Sequence, residues 1–258
     1  MRIVDAHAHI LQDPDYVEKL LTVMDECNIA KCCISGIGPL FHCVGNAEIQ
    51  EIINDYPDRF IGAVFVRPGL DGPAAIQQAH DVGFRMVKVT LTRVPYDDPS
   101  AFPLWKIAQE LGMPVLFHTG VVTTAIEAPG EGINSWWMHP MRVEPITREF
   151  PDLKIILAHL GIAWNDDAAE LARMRPNVYV DLTGEPAGWR ARADAVGMDK
   201  WLWWSGAWQK VVFGTDVTCS KIPQILADDI ARCDRFNLDE ETRECIFSRN
   251  ILTLLGME

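Results

Sequence analysis

Apolar residues along the chain fall into short β-rich runs, separated by stretches in which apolar positions recur every three or four residues. Eight runs read as strands: Ile3 to His7, Ala30 to Ser35, Phe60 to Val66, Phe84 to Thr90, Pro114 to His118, Lys154 to His159, Asn177 to Leu182 and Lys210 to Asp216. Between them, "DYVEKLLTVMDECN", "AEIQEIINDYP", "GPAAIQQAHDVG", "FPLWKIAQELG" and "VEPITREFP" keep the helical spacing and stop at Gly, Pro or Asn. This alternation predicts an α/β fold with a parallel sheet wrapped by helices, and the count predicts a (β/α)8 TIM barrel. Such barrels run to about 250 residues, so the 258 residues are expected to form one domain, 1–258. The competing architecture, an open doubly wound sheet, usually carries a Gly-rich turn after its first strand; here that turn reads "HAHILQDP", without glycine.

In a barrel the chemistry sits at the carboxyl ends of the strands. Polar residues collect at those positions: His7 and His9 after strand one, Lys88 on strand four, His118 after strand five, His159 after strand six and Asp216 after strand eight. Alternation along a strand points His7 and His9 the same way, and closure of the barrel brings Asp216 beside them. His118 and His159 then approach from the opposite wall. Three imidazoles and a carboxylate suit a divalent transition metal such as zinc, with an open position for water in a catalytic site. A lone histidine after a strand is more often a satisfied core residue; it is the joint placement of four of the seven histidines that argues for a metal.

Composition narrows the classes. Apolar residues make up 48% and charged residues 23%, an ordinary globular balance. A net charge of −13 disfavours nucleic acid and anionic membrane as partners. No apolar run is long enough to span a bilayer and no secretory signal opens the chain, so a cytoplasmic location is expected. Seven cysteines without a Cys-x-x-Cys pair read as reduced, mostly buried thiols.

The strings "VDAHAHI", "GFRMVKVT", "MPVLFHTG", "FPDLKIILAHLG", "FGTD" and "RNILTLLG", in this order over nearly the whole chain, resemble the amidohydrolase superfamily, in its amidohydrolase-2 branch of decarboxylases and lactonases. The resemblance implies one metal, zinc or manganese, on His7, His9, His118 and Asp216, with His159 off the metal and facing water or substrate. It also leaves room for a second metal bridged by a carbamylated Lys88. The expected reaction is hydrolysis of an ester, lactone or amide by activated water, with Asp216 moving the proton and His159 stabilising the oxyanion. The alternative is a metal-dependent, non-oxidative decarboxylase on the same scaffold.

The expected substrate is a small molecule, carboxylated and cyclic or aromatic. Lys88 and Arg142 are candidates for its carboxylate, with Arg93 a third. His139 and Trp136, in the long loop after strand five, are candidates for the pocket wall. "WLWWSGAWQ" holds four of the nine tryptophans and fits helix packing or a subunit contact, which allows a homo-oligomer.

Overall fold

The computed structural model describes residues 1–122, 130 and 132–257. Eight strands, β1 (Ile3–His9), β2 (Ile29–Ser35), β3 (Phe60–Val66), β4 (Met86–Val89), β5 (Val115–Phe117), β6 (Ile155–Leu157), β7 (Val178–Asp181) and β8 (Val211–Val212), form one sheet in sequence order. Every adjacent pair is parallel. Closure comes from backbone bonds beyond β8: the Ala6 N–H donates to Phe213 O at 2.9 Å, and the Asp216 N–H donates to His7 O at 2.8 Å. The predicted TIM barrel is therefore the observed fold.

The helices are α1 (Tyr16–Glu26), α2 (Asn46–Asp55), α3 (Pro73–Asp81), α4 (Phe102–Glu110), α5 (Glu144–Glu149), α6 (Asn165–Met174), α7 (Ala191–Val196) and α8 (Ile222–Arg235), followed by α9 (Glu240–Glu244) and α10 (Asn250–Leu255). The longer helices lay a periodic apolar stripe on the barrel; α1 buries Tyr16, Leu20 and Met24, one residue per turn. Inside the barrel Val4, Ala6, Ile61, Met86, Leu116, Ile156 and Val212 form a second core, closed from below by α10. That packed floor confines open space to the mouth.

Two local departures from a regular strand aim the polar residues. Between Asp5 and Ala8, β1 runs three residues against two of β2, a bulge. Val4 and Ala6 pack in the interior core, yet His7 and His9 also turn inward, because the extra residue switches the alternation. Just after β6, Ala158 belongs to the interior core, so continued strand alternation would send His159 toward the helices. A left-handed backbone at His159, φ 59°, turns its ring to the mouth instead. All seven cysteines are free, and six are buried. Among the described residues no helix is long and apolar enough to cross a membrane.

Candidate active site

His7, His9 and Asp216 bring one ligand atom each to within 4.8 Å of one another. His9 Nε2 is 3.2 Å and His7 Nε2 3.8 Å from Asp216 Oδ1. The outer nitrogens are spent on protein oxygens: His7 Nδ1 donates to Asp181 Oδ2 at 2.9 Å, and His9 Nδ1 faces the Ser35 carbonyl at 3.3 Å and its hydroxyl at 2.9 Å. Both rings thus turn an Nε2 lone pair inward, the arrangement that orients metal-ligating histidines.

His118 lies outside this trio. Its Nδ1 is 3.1 Å from His159 Nε2, so the two nitrogens share a proton. Its Nε2 is buried with no hydrogen-bond partner among the described residues. An orphaned imidazole nitrogen beside three converging donors fits a divalent cation, since a buried polar atom otherwise keeps its desolvation cost. Lys88 Nζ lies 2.7 Å from His7 Nε2, where it donates to the lone pair.

Burial, then the Lys88 charge, pushes the His7 imidazolium down to about 4, so the His7 ring is neutral at pH 7. Burial, then His159, holds His118 well below the usual histidine range. Burial also lowers Lys88 to about 8, against the pull of Asp216 and Asp181. Asp216 is lowered too, but against its burial: desolvation would raise it, and the imidazoles of His7, His9 and His159 hold its carboxyl well below the usual range.

Several residues that position the site escaped the sequence reading. Asp181, fully buried at the end of β7, uses its second oxygen on the His159 N–H at 2.7 Å, the Thr183 N–H at 3.1 Å and the Thr183 hydroxyl at 2.6 Å. Thr183 Oγ1 in turn lies 2.7 Å from His159 Nδ1. Asp5 ties β1 to the segment after β8, accepting from the N–H groups of His7 and Thr215 at 3.0 and 3.1 Å. The only sequence signal was an acid in "VDLTG", at the same strand-end position as the histidines.

His9, Lys88, His118, His159 and Asp216 floor a cavity of about 640 Å³, and Phe41, Ile37, Ile162, Val217 and Trp189 stand on its walls. Of the expected substrate residues, only Lys88 lines it among the described residues. Arg142 is held by Asp97, 3.1 Å from Oδ2. His139 is sandwiched between Trp136 and Trp164, with Nε2 3.5 Å from Asp167 and Nδ1 accepting from the Met141 N–H. Trp136 is 53% exposed on that outer stack. The reason is the loop's path: its 3₁₀ turns, Ser135–Met138 and Pro140–Arg142, carry these side chains to the rim and α6. The lining aromatics are instead Tyr16, Phe41 and Trp189, after β1, β2 and β7.

Residues 41–257 match the amidohydrolase family model, so the chain belongs to the amidohydrolase-2 family, whose metal-dependent enzymes include hydrolases and decarboxylases. The match takes in His118, His159 and Asp216 and begins after the histidine pair of β1. A dihydroorotase of Yersinia enterocolitica is 34% identical over 90 residues, 35% of this chain, and the chain spans 24% of that protein's length. Among solved structures, an uncharacterised TIM-barrel protein of Bordetella bronchiseptica superposes with a TM-score of 0.76 at 18% identity, over 100% of this chain and 99% of that one. A probable 2-pyrone-4,6-dicarboxylic acid hydrolase of Acinetobacter baumannii gives 0.66 at 17% identity, covering 99% of this chain and 100% of its own. A dihydroxybenzoic acid decarboxylase of Polaromonas with bound manganese gives 0.66 at 15%, covering 99% and 97%. At these identities the likeness to solved structures is one of fold.

Proposed function

We propose that the protein is a metal-dependent hydrolase of a small, carboxylated cyclic or aromatic ester, lactone or amide. The observation that carries the reading is the convergence of His7, His9 and Asp216 at the floor of a cavity. His7, His9, His118 and Asp216 would hold one divalent cation, zinc or manganese. When bound, such a cation supplies Lewis acidity that brings the pKa of a water from near 16 toward about 7.

The chain's own residues move the proton. Asp216, kept ionised by the surrounding imidazoles, accepts it from the attacking water. Asp216 then passes it to the leaving group, while His159, whose ring lies 3.6 Å from Asp216 Oδ2, faces the oxygen that gains charge. Thr183 at Nδ1 keeps the ring aimed through both steps. Lys88 receives the substrate carboxylate.

A second reading, decarboxylation, is favoured by the proton shared between His118 and His159 on the cavity floor, which a substrate carbon could take as carbon dioxide leaves. The experiment is elemental analysis of the purified chain, then assays against lactones, esters and aromatic carboxylates. Stoichiometric metal with ring-opened or hydrolysed product, lost in Asp216→Asn, is the expected result. Carbon dioxide release with solvent deuterium on product carbon would replace hydrolysis by decarboxylation, and full turnover by chelated, metal-free protein would end both.

A further inference from the structure

We infer that the cavity takes a flat apolar ring bearing a single anionic group, and that Trp189 is the residue that selects for it. The inference rests on the cavity's being the substrate site. Lys88 is the one lysine or arginine among the described lining residues, and it sits at the floor. Residues 123–129 and 131, which follow the lining residue Val122, contain no lysine or arginine in their sequence. Arg142, tied to Asp97, stands elsewhere. The charged side chain on the wall is Glu185, paired with Lys221 at 2.5 Å. One carboxylate can therefore be met at the floor, whereas a second, carried farther along the ring, would face apolar side chains and a like charge.

Trp189 is built as a fixed wall. Its Nε1 donates to Thr183 O at 2.9 Å, so its polar atom is spent on the loop and the ring face is free for a ligand. The indole lies so close over Gly184 that a Cβ there would stand 2.9 Å from Nε1. The next residue, Arg190, is buried and donates to Leu182 O and to Asp229 Oδ1, which pins the chain on the far side of the ring. Thr183, the same residue that receives the indole N–H, holds His159 Nδ1. Ring wall and His159 thus share one support, which fixes the depth at which a stacked ring meets the floor.

The test is calorimetric binding of unreactive probes to the full chain: 2-naphthoate against naphthalene-2,6-dicarboxylate. We expect 2-naphthoate to bind, the second carboxylate to weaken binding at least tenfold, and Trp189→Ala to weaken 2-naphthoate at least tenfold. Trp189→Leu, apolar but not flat, should show the same loss, and Trp189→Phe should keep most of the affinity; these serve if the alanine variant does not fold. No binding of 2-naphthoate, equal or tighter binding of the dicarboxylate, or unchanged affinity in the alanine and leucine variants overturns the inference. Absence of turnover with this binding pattern intact counts against the hydrolase reading alone.

Discussion

His7 Nδ1 and Asp181 Oδ2 meet at 2.9 Å, although their strands, β1 and β7, are separated in the barrel by β8. The contact is open because β8 leads into Gly214. A Cβ at that position would stand 2.9 Å from His7 Cβ and 2.9 Å from Thr183 Cγ2. One buried carboxylate therefore reaches past a missing side chain to orient a candidate metal ligand, while its second oxygen holds the backbone of His159 in its left-handed turn.

Asp181→Asn should expose that dependence. An amide in place of the carboxylate sets an NH2 against either His7 Nδ1–H or the His159 N–H, both donors, so one contact is lost whichever way it turns. Removing such an outer partner typically costs about 10–100-fold in metal affinity or activity. Circular dichroism should remain that of the wild type, while competition with a metal chelator should show the weaker affinity. A variant that holds metal as tightly as the parent would sink the positioning role.

Gly214→Ala tests the same contact from the other side. The added methyl must displace His7 or Thr183, since neither neighbour is the far end of a flexible chain. Overpacking of this kind costs about 1–3 kcal/mol. Turnover is expected to fall by more than the stability loss explains, because His7 moves away from Asp181. Measuring urea midpoints and kcat on the same preparations separates the two effects.

Much of this was legible in the sequence, and the failures have physical causes. All eight strands were, because barrel strands buried on both faces give continuous apolar runs. The residues on those strand ends, His7, His9, Lys88, His118, His159 and Asp216, do converge, since closure is a property of the fold. His159 arrived for a reason the pattern hid: its left-handed φ, rather than strand alternation, points it inward. Asp181 and Trp189 stayed hidden because their roles depend on partners far away in sequence, His7 and Thr183 among them. Arg142, His139 and Trp136 stand outside the described cavity lining because a long loop's path is set by tertiary contacts, Asp97 and Trp164 here, that no local pattern encodes.

Metal removal should act on stability as well as on activity. Three converging donors and the orphaned His118 Nε2 are better satisfied with a cation than without one. A ligand at about 100 times its dissociation constant adds about 2.7 kcal/mol to the folded state. Chelation should therefore lower Tm, and zinc or manganese should restore both Tm and turnover. His118→Ala should shrink the metal-dependent rise in Tm; an unaltered rise would place His118 off the metal.

Lys210 gives a pH signature remote from the site. Burial lowers its pKa from 10.5 to about 8, while its ammonium lies over the Tyr179 ring and donates to the Arg175 and Pro176 carbonyls. Its charge is disfavoured in the fold, so the penalty is complete below pH 8 and is relieved as pH rises toward 10.5, where the unfolded chain alone still binds the proton. Urea titrations at pH 7, 8 and 9.5 should show wild type gaining stability relative to Lys210→Gln across that window. A constant difference would mean that burial does not shift this lysine.

Asp229 carries the last prediction, because two arginines depend on it. The side chains of Arg190 and Arg232 are each 1% exposed, and both donate to Asp229 Oδ1, with Arg190 Nη2 at 2.6 Å. Arg232 has a second carboxylate in Asp194, at 2.9 Å from both Nε and Nη2. Among the described residues Arg190 donates only to the Leu182 carbonyl besides Asp229, so Asp229→Ala leaves a buried guanidinium without its paired carboxylate. Breaking a buried pair in this way costs about 3–5 kcal/mol, whereas replacing both members by apolar groups is often close to neutral. Asp229→Ala with Arg190→Met should therefore be more stable in urea than Asp229→Ala alone. If the double variant is instead less stable than Asp229→Ala, the arginine contributes packing rather than an unpaired charge, and the wall behind Trp189 is held by shape.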